Sequence, residues 1–343
     1  MAVIHVISSC MRMKWMLRHG NEWAIFAPVF FCLTFINLRV KLFFTKDWFN
    51  GTLEKNHYLL TAFDYTNNEQ SRLLQFYIPE AFHRIFGMTI EHAYILQRFT
   101  FIFLAFMLFH FYLRKWFSAL ESFAGVAFLS AIMPLAYFNH LQESAPLLLL
   151  TFLLGLWATR EKAQIAFAII LFVGTINNET MLILPLAYFA FHCREWSFRA
   201  CLRTGLQTLA VSAPAICTFL FIRYLTRSNE HLGNLFLLSE NMERMGRDFL
   251  LSPFEFHTAF YLYIFFIFGV FWIYPFLQWK KQDDFLRRAS IIIPPFIIIH
   301  FLTGVIAEVR QMVPLAYLLI PMSFLELRRM IDSSLHAGQD ALG

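Results

Sequence analysis

Charge is what this 343-residue chain has least of: Asp, Glu, Lys and Arg make up 15% of it, against about 25% in an average soluble domain. So little charge cannot solvate the surface of a large soluble catalytic domain, and that class is excluded. Glycine (13) and proline (12) are also sparse, which excludes collagen-like and low-complexity architectures. The five cysteines form no C-x-x-C pair and no Cys/His set with metal-ligand spacing, so neither a disulfide framework nor a zinc site follows. P-loop, G-x-G-x-x-G and G-x-S-x-G motifs are missing, and no internal repeat is visible, which weighs against a transporter built from duplicated halves. The formal charge is +5, from 28 Lys and Arg against 23 Asp and Glu. In so apolar a chain this excess marks cytoplasmic loops rather than a nucleic-acid surface.

What the chain has in abundance is apolar side chains, 58% of the total with 43 phenylalanines and a mean hydropathy of +0.55. Apolar segments cover about 23–44, 93–113, 117–138, 146–159, 163–176, 181–193, 204–225, 257–279, 289–306 and 311–327. At roughly 20 residues per span, ten spans occupy about 200 residues, leaving room for one or two long loops. The expectation is an all-α polytopic membrane protein, one transmembrane domain over 1–343 with about ten transmembrane helices. Several middle segments are short, as helices are where a cavity or loop replaces lipid. Residues 1–22, with Arg12, Lys14 and Arg18, have too short an apolar run for a signal peptide and read as a cytoplasmic tail.

Alternate connections are then basic: Arg114-Lys115, Arg160 to Lys162, Arg194 to Arg203, Lys280 to Arg288 and Arg328-Arg329, which with the tail hold 16 of the 28 Lys and Arg. The short connections between them, 139–145, 177–180 and 308–311, hold one basic residue, Arg310. By the positive-inside rule both termini are cytoplasmic. Two long segments, 45–92 and 226–256, become the first and second long extracytoplasmic loops. In the first, Phe76, Tyr77, Ile78, Phe82, Ile85 and Phe86 alternate with Arg72, Glu80, His83 and Arg84, the pattern of an amphipathic helix lying on the membrane or packed on the bundle.

The informative polar residues sit on the extracytoplasmic side. The turns Phe63 to Glu69, Asn139 to Glu143, Asn177 to Thr180 and Glu308 to Gln311 each carry a carboxylate beside apolar helix. Charges at such depth are costly and line cavities or pathways, so one polar chamber built from several helix ends is expected.

With that layout the chain resembles an integral-membrane glycosyltransferase of the GT-C type. In that superfamily a first helix leads into a long outside loop carrying an acidic residue, and a second acidic residue follows between the third and fourth helices. Asp64 (or Asp47) and Glu143 stand in those places. The stretch Thr175 to Tyr188, T-I-N-N-E-T-M-L-I-L-P-L-A-Y, resembles a K-E-T-x-L-x-L-P turn, with Asn178 where lysine is common. Gly304 to Pro314, with Glu308 and Arg310, is similar to a late acidic-Arg turn of bacterial members. The resemblance implies a protein of the bacterial inner membrane whose partners are membrane lipid and a polyprenyl-phosphate-linked sugar donor, with further subunits open. It implies a carboxylate as general base, Asp64 first and Glu143 second, and Arg310 as phosphate partner. Glu308, His140, Glu179, Asn178 and His83 complete the substrate-binding set.

Plainer roles stand beside each of these. Asp64, Glu143 and Glu179 fall at helix starts, where carboxylates cap, Arg310 can simply pair with Glu308, and His110 and His300 read as hydrogen-bonded core histidines. No cofactor follows from the residues, and a divalent metal is left open because the carboxylate spacing is too loose to argue one. Two rival functions use the same features: a transporter or flippase for a lipid-linked substrate, and a non-catalytic subunit of a membrane assembly.

Overall fold

The structure, a computed structural model, describes residues 20–46, 51–65, 68–136, 143–226, 237–243, 267–304 and 308–340. The described residues are 87% helical, with no strand among them. The principal helices are α1 (Gly20–Phe44), α2 (Leu53–Thr61), α3 (Leu73–Phe86), α4 (Ile90–Leu113), α5 (Ala119–Ile132), α6 (Ala145–Arg160), α7 (Gln164–Asn177), α8 (Leu184–His192), α9 (Phe198–Thr226), α10 (Asp284–Ala289), α11 (Ile293–Thr303) and α12 (Ala316–Asp340).

Among the described residues four stretches are long and apolar enough to cross a membrane: Asn21–Phe44, Ile90–Leu113, Phe198–Thr226 and Asp284–Thr303, the last running through α10 and α11. Three further apolar helices, Ala119–Ile132, Ala145–Arg160 and Gln164–Asn177, fall short of that length. The expected segment 257–279 is not one continuous helix in its described part. From Gly269 the chain makes a short 3-10 turn, a helical turn at Tyr274–Leu277 and another 3-10 turn at Trp279–Lys281.

The short helices form the middle of the bundle. α6 packs on α4 and α7, and α7 packs on α9. Nearly every residue of α6 is buried, including Phe152, Leu153 and Leu156, so its uniformly apolar sequence serves a buried helix that meets neighbours on all sides. α1 and α9, by contrast, expose Phe31, Phe35, Leu206, Leu209, Leu220 and Phe221. A continuous apolar face of that kind is what a peripheral helix presents to lipid.

Local chemistry sets several boundaries. Ser118 and Glu121 form a reciprocal capping box at the start of α5, and the Thr89 side chain accepts from the His92 N–H at the start of α4. In the first long loop α2 and α3 are both helical, and α3 buries Gln75, Phe76 and Pro79 against the bundle while exposing Tyr77, Ile85 and Phe86. The amphipathic pattern there reflects packing on α4 and α7 on one side.

From the second long loop, 237–243 lies against the end of α11. Asn241 Nδ2 donates to the carbonyls of Phe301 (2.7 Å) and Gly304 (2.8 Å), and the Leu237 N–H donates to Leu302 O (2.8 Å). These bonds satisfy carbonyls that a helix end leaves without partners. Asn241→Ala is expected to lower folding stability by about 1–3 kcal/mol, the cost of stranding buried acceptors. Thermal unfolding in detergent measures this, and an unchanged midpoint would refute the capping role.

Candidate functional site

Chain direction gathers one set of polar residues at one end of the bundle. Lys41 lies near the end of α1 and Arg98 near the start of α4, and these helices pack against each other. Glu143 precedes α6, Glu179 follows α7, Arg223 is in the last turn of α9, and Glu308 and Arg310 follow α11. Glu69 and Arg72 come in from the loop between α2 and α3.

The core of the set is an ion pair sealed from solvent. Arg98 Nε and Nη2 both stand 2.7 Å from Glu143 Oε2, and each side chain is 3% exposed. Lys41 Nζ lies 4.0 Å from the other oxygen, Oε1, which accepts no hydrogen bond from the described residues although it is buried. Glu143 is therefore held by cations and is not a helix cap. The turn that carries it is tied down from α7: Asn177 Nδ2 donates to Ser144 O (2.9 Å) and Asn178 Nδ2 to Ser144 Oγ (3.4 Å). Asn178 Oδ1 also accepts from the Thr180 N–H at 3.0 Å, capping the turn that bears Glu179.

Glu179 pairs with Arg72, Nη2 to Oε1 at 2.7 Å and Nε to Oε2 at 3.3 Å, with Arg223 Nη2 at 4.0 Å. Burial pushes the Glu179 carboxyl up, but Arg72 and Arg223 outweigh it and bring the pKa down to about 2. Arg310 Nη2 donates to Glu308 Oε2 at 2.6 Å, and Gln311 Nε2 to the same oxygen at 2.8 Å. Arg310 Nε is buried with no hydrogen bond.

These pairs form one electrostatic unit. Lys41 feels the charges of Arg98, Glu143, Arg310 and Glu69, while Arg310 feels Glu308, Arg72, Glu69 and Glu179. Glu69 is itself buried, and burial raises its pKa despite the opposing charges of Arg72 and Arg310. Among the described residues Lys41, Arg72, Arg98, Arg223 and Arg310 thus face Glu69, Glu143, Glu179 and Glu308.

Of the residues expected from sequence, Glu143, Glu179, Asn178, Glu308 and Arg310 come together here. Asp64 does not join them: it is exposed on the turn after α2 and makes no ion pair among the described residues. His83 is half-buried away from the set, its Nδ1 2.5 Å from Met88 O. His140 and Asp47 lie outside the described residues. His300 borders the site, Nδ1 on Phe296 O (2.8 Å) and Nε2 3.4 Å from Thr180 Oγ1. His110 sits at the opposite end, Nε2 3.3 Å from Glu22, so both are hydrogen-bonded within the bundle.

Sequence reasoning missed Lys41, Arg98 and Arg223, each absorbed into an apolar helix. The available signal was depth, since a lone cation inside a span is costly unless paired. Among the described residues no three His, Cys, Asp or Glu side chains are grouped to hold a metal ion.

Two measurements probe this set. Arg98→Met leaves Glu143 buried and short of its partner and should cost about 3–5 kcal/mol, whereas Arg98→Met with Glu143→Met should recover much of that loss. A double mutant as unstable as the single would deny the pairing. The second concerns pH. A carboxylate whose folded pKa is depressed contributes stability above its unfolded value and loses it as pH falls through the folded value. The stability difference between wild type and Glu179→Gln should therefore be flat from about pH 7 to 5 and shrink only below about 4.3.

No family model matches this chain, and neither a curated protein nor a solved structure matches it.

Proposed function

We propose that the chain is a polytopic membrane glycosyltransferase resembling the GT-C type, moving a sugar from a polyprenyl-phosphate donor to an acceptor hydroxyl at the extracytoplasmic face. The observation that carries this reading is the set of Lys41, Arg72, Arg98 and Arg310 beside Glu69 and Glu143, in which a Glu143 oxygen and an Arg310 N–H are buried with no hydrogen bond among the described residues. Unsatisfied buried polar atoms of opposite character suit a ligand that brings both a hydroxyl and an anion. About ten helices, with both termini and the basic end cytoplasmic, complete the proposed topology.

In this reading Glu69 is the general base. Burial raises its pKa above the ordinary carboxylate value, the direction that makes a carboxylate a stronger base. The acceptor hydroxyl gives its proton to Glu69 as its oxygen bonds to the anomeric carbon. The bond from that carbon to the phosphate oxygen breaks, and polyprenyl phosphate leaves as an anion. Arg310 and Arg72 meet that phosphate, since a guanidinium's planar fork matches phosphate oxygens. Glu143 holds Arg98 and Lys41 in position, and its Oε1 accepts from the acceptor or sugar. Exposed Asp64, the first candidate by sequence order, has no part in the step.

Proteoliposomes supplied with polyprenyl-phosphate sugars test this. Glu69→Gln and Arg310→Gln should cut sugar transfer by roughly a hundredfold or more, while Asp64→Asn stays within about twofold of wild type, as a group outside the reacting centre should. Loss in Asp64→Asn with full activity in Glu69→Gln would move the base to Asp64. Movement of the donor across the bilayer without transfer would establish a flippase instead.

A further inference from the structure

At the opposite, basic end of the bundle the chain has a cavity of about 270 Å³ lined by Ala190, Trp196, Trp279, Arg287, Arg288 and Ile291. We propose that it binds the phosphate of an anionic phospholipid from the surrounding leaflet. This does not depend on the glycosyl-transfer reading, because it concerns the other end of the molecule.

The argument begins with the two arginines. Both donate to the same oxygen of Asp284, Arg287 Nη2 at 2.8 Å and Arg288 Nε at 2.9 Å, and Arg288 Nη1 donates to Cys193 O at 3.0 Å. One carboxylate neutralises half of this pair. Arg287 Nε and Nη1 and Arg288 Nη2 have no hydrogen-bond partner among the described residues. Two guanidiniums with spare donors around one cavity match a phosphate with several acceptor oxygens.

The aromatic residues argue for a lipid rather than a free anion. Trp279 lies 5.9 Å from the Arg287 guanidinium, and its Nε1 donates to Ser290 Oγ at 3.2 Å, which fixes the ring. Trp196 is 72% exposed and the adjoining Phe198 82%. Exposed aromatic rings beside cations at the end of membrane-length helices are the composition of a headgroup belt. The segment that supplies both arginines carries excess positive charge: 280–288 has four basic and two acidic residues. Such clusters attract anionic lipid. The cavity volume lies just under the roughly 300 Å³ at which drug-sized pockets begin, a size for a headgroup with the acyl chains left in the bilayer along Ile291.

Native mass spectrometry of the full chain released from phosphatidylcholine vesicles containing phosphatidylglycerol tests this. Wild type should retain phosphatidylglycerol over phosphatidylcholine by about tenfold or more, in line with charge-assisted bonds. Arg287→Gln with Arg288→Gln should erase the preference, and Trp196→Ala, altering an exposed side chain, should weaken retention several-fold. Arg194→Gln with Arg199→Gln, which removes exposed charges outside the cavity, should leave the preference in place. Equal retention of both lipids in wild type, an equal loss in the Arg194/Arg199 variant, displacement by inorganic phosphate, or full retention in Trp196→Ala would each overturn the proposal.

Discussion

Burying a full charge among apolar helices is among the costliest acts a fold can perform, and this structure does so repeatedly at one end. A lone guanidinium or carboxylate there would be expelled or neutralised, so each must arrive with its opposite. Arg98 with Glu143 joins α4 to the turn before α6, and Arg72 with Glu179 joins the first long loop to the turn after α7. The apolar packing of α6 and α7 supplies the low-dielectric surroundings that make those pairings obligatory. Packing sets the register of the helices, and the charges check it, because a slip of one residue would strand several at once.

The two ends are built on different rules. At the basic end, Lys115–Glu161 at 3.0 Å and Arg114–Glu22 at 3.0 Å are partly exposed, and Arg160 stacks over Trp116 at 4.8 Å. Water and headgroups screen such pairs, so they orient the chain more than they stabilise it. At the other end Lys41, Arg98 and Glu143 are enclosed, and the charges around them act on one another across several helices. The same residue types thus form partly exposed pairs at one end and a densely coupled cluster at the other.

Helical class, the first and fourth principal helices and the long α9 were legible in sequence because a run of apolar residues admits few other readings. The clustering of Glu143, Glu179, Glu308 and Arg310 was legible too, since each falls in a short turn on the same side. Asp64 stands apart from that cluster, and sequence order says nothing of exposure: five residues further on, Glu69 turns inward on a 3-10 turn while Asp64 faces out. Lys41 and Arg98 stayed hidden because hydropathy averages a single charge into its neighbours. The broken path after Gly269 is equally invisible to averaging, which counts Phe, Trp and Ile without asking whether their backbone is continuous.

The 29 residues of α9 make a rod about 44 Å long at 1.5 Å per residue, while hydrocarbon is about 30 Å thick. A helix that long must lean, protrude or bend, and Pro214 at its middle supplies a place to bend. Its far end carries Arg223, 4.0 Å from Glu179, so the tilt of this rod and the charge balance of the site are mechanically joined. If the rod crosses a bilayer, a thicker membrane would draw it upright and shift a cation relative to its carboxylate.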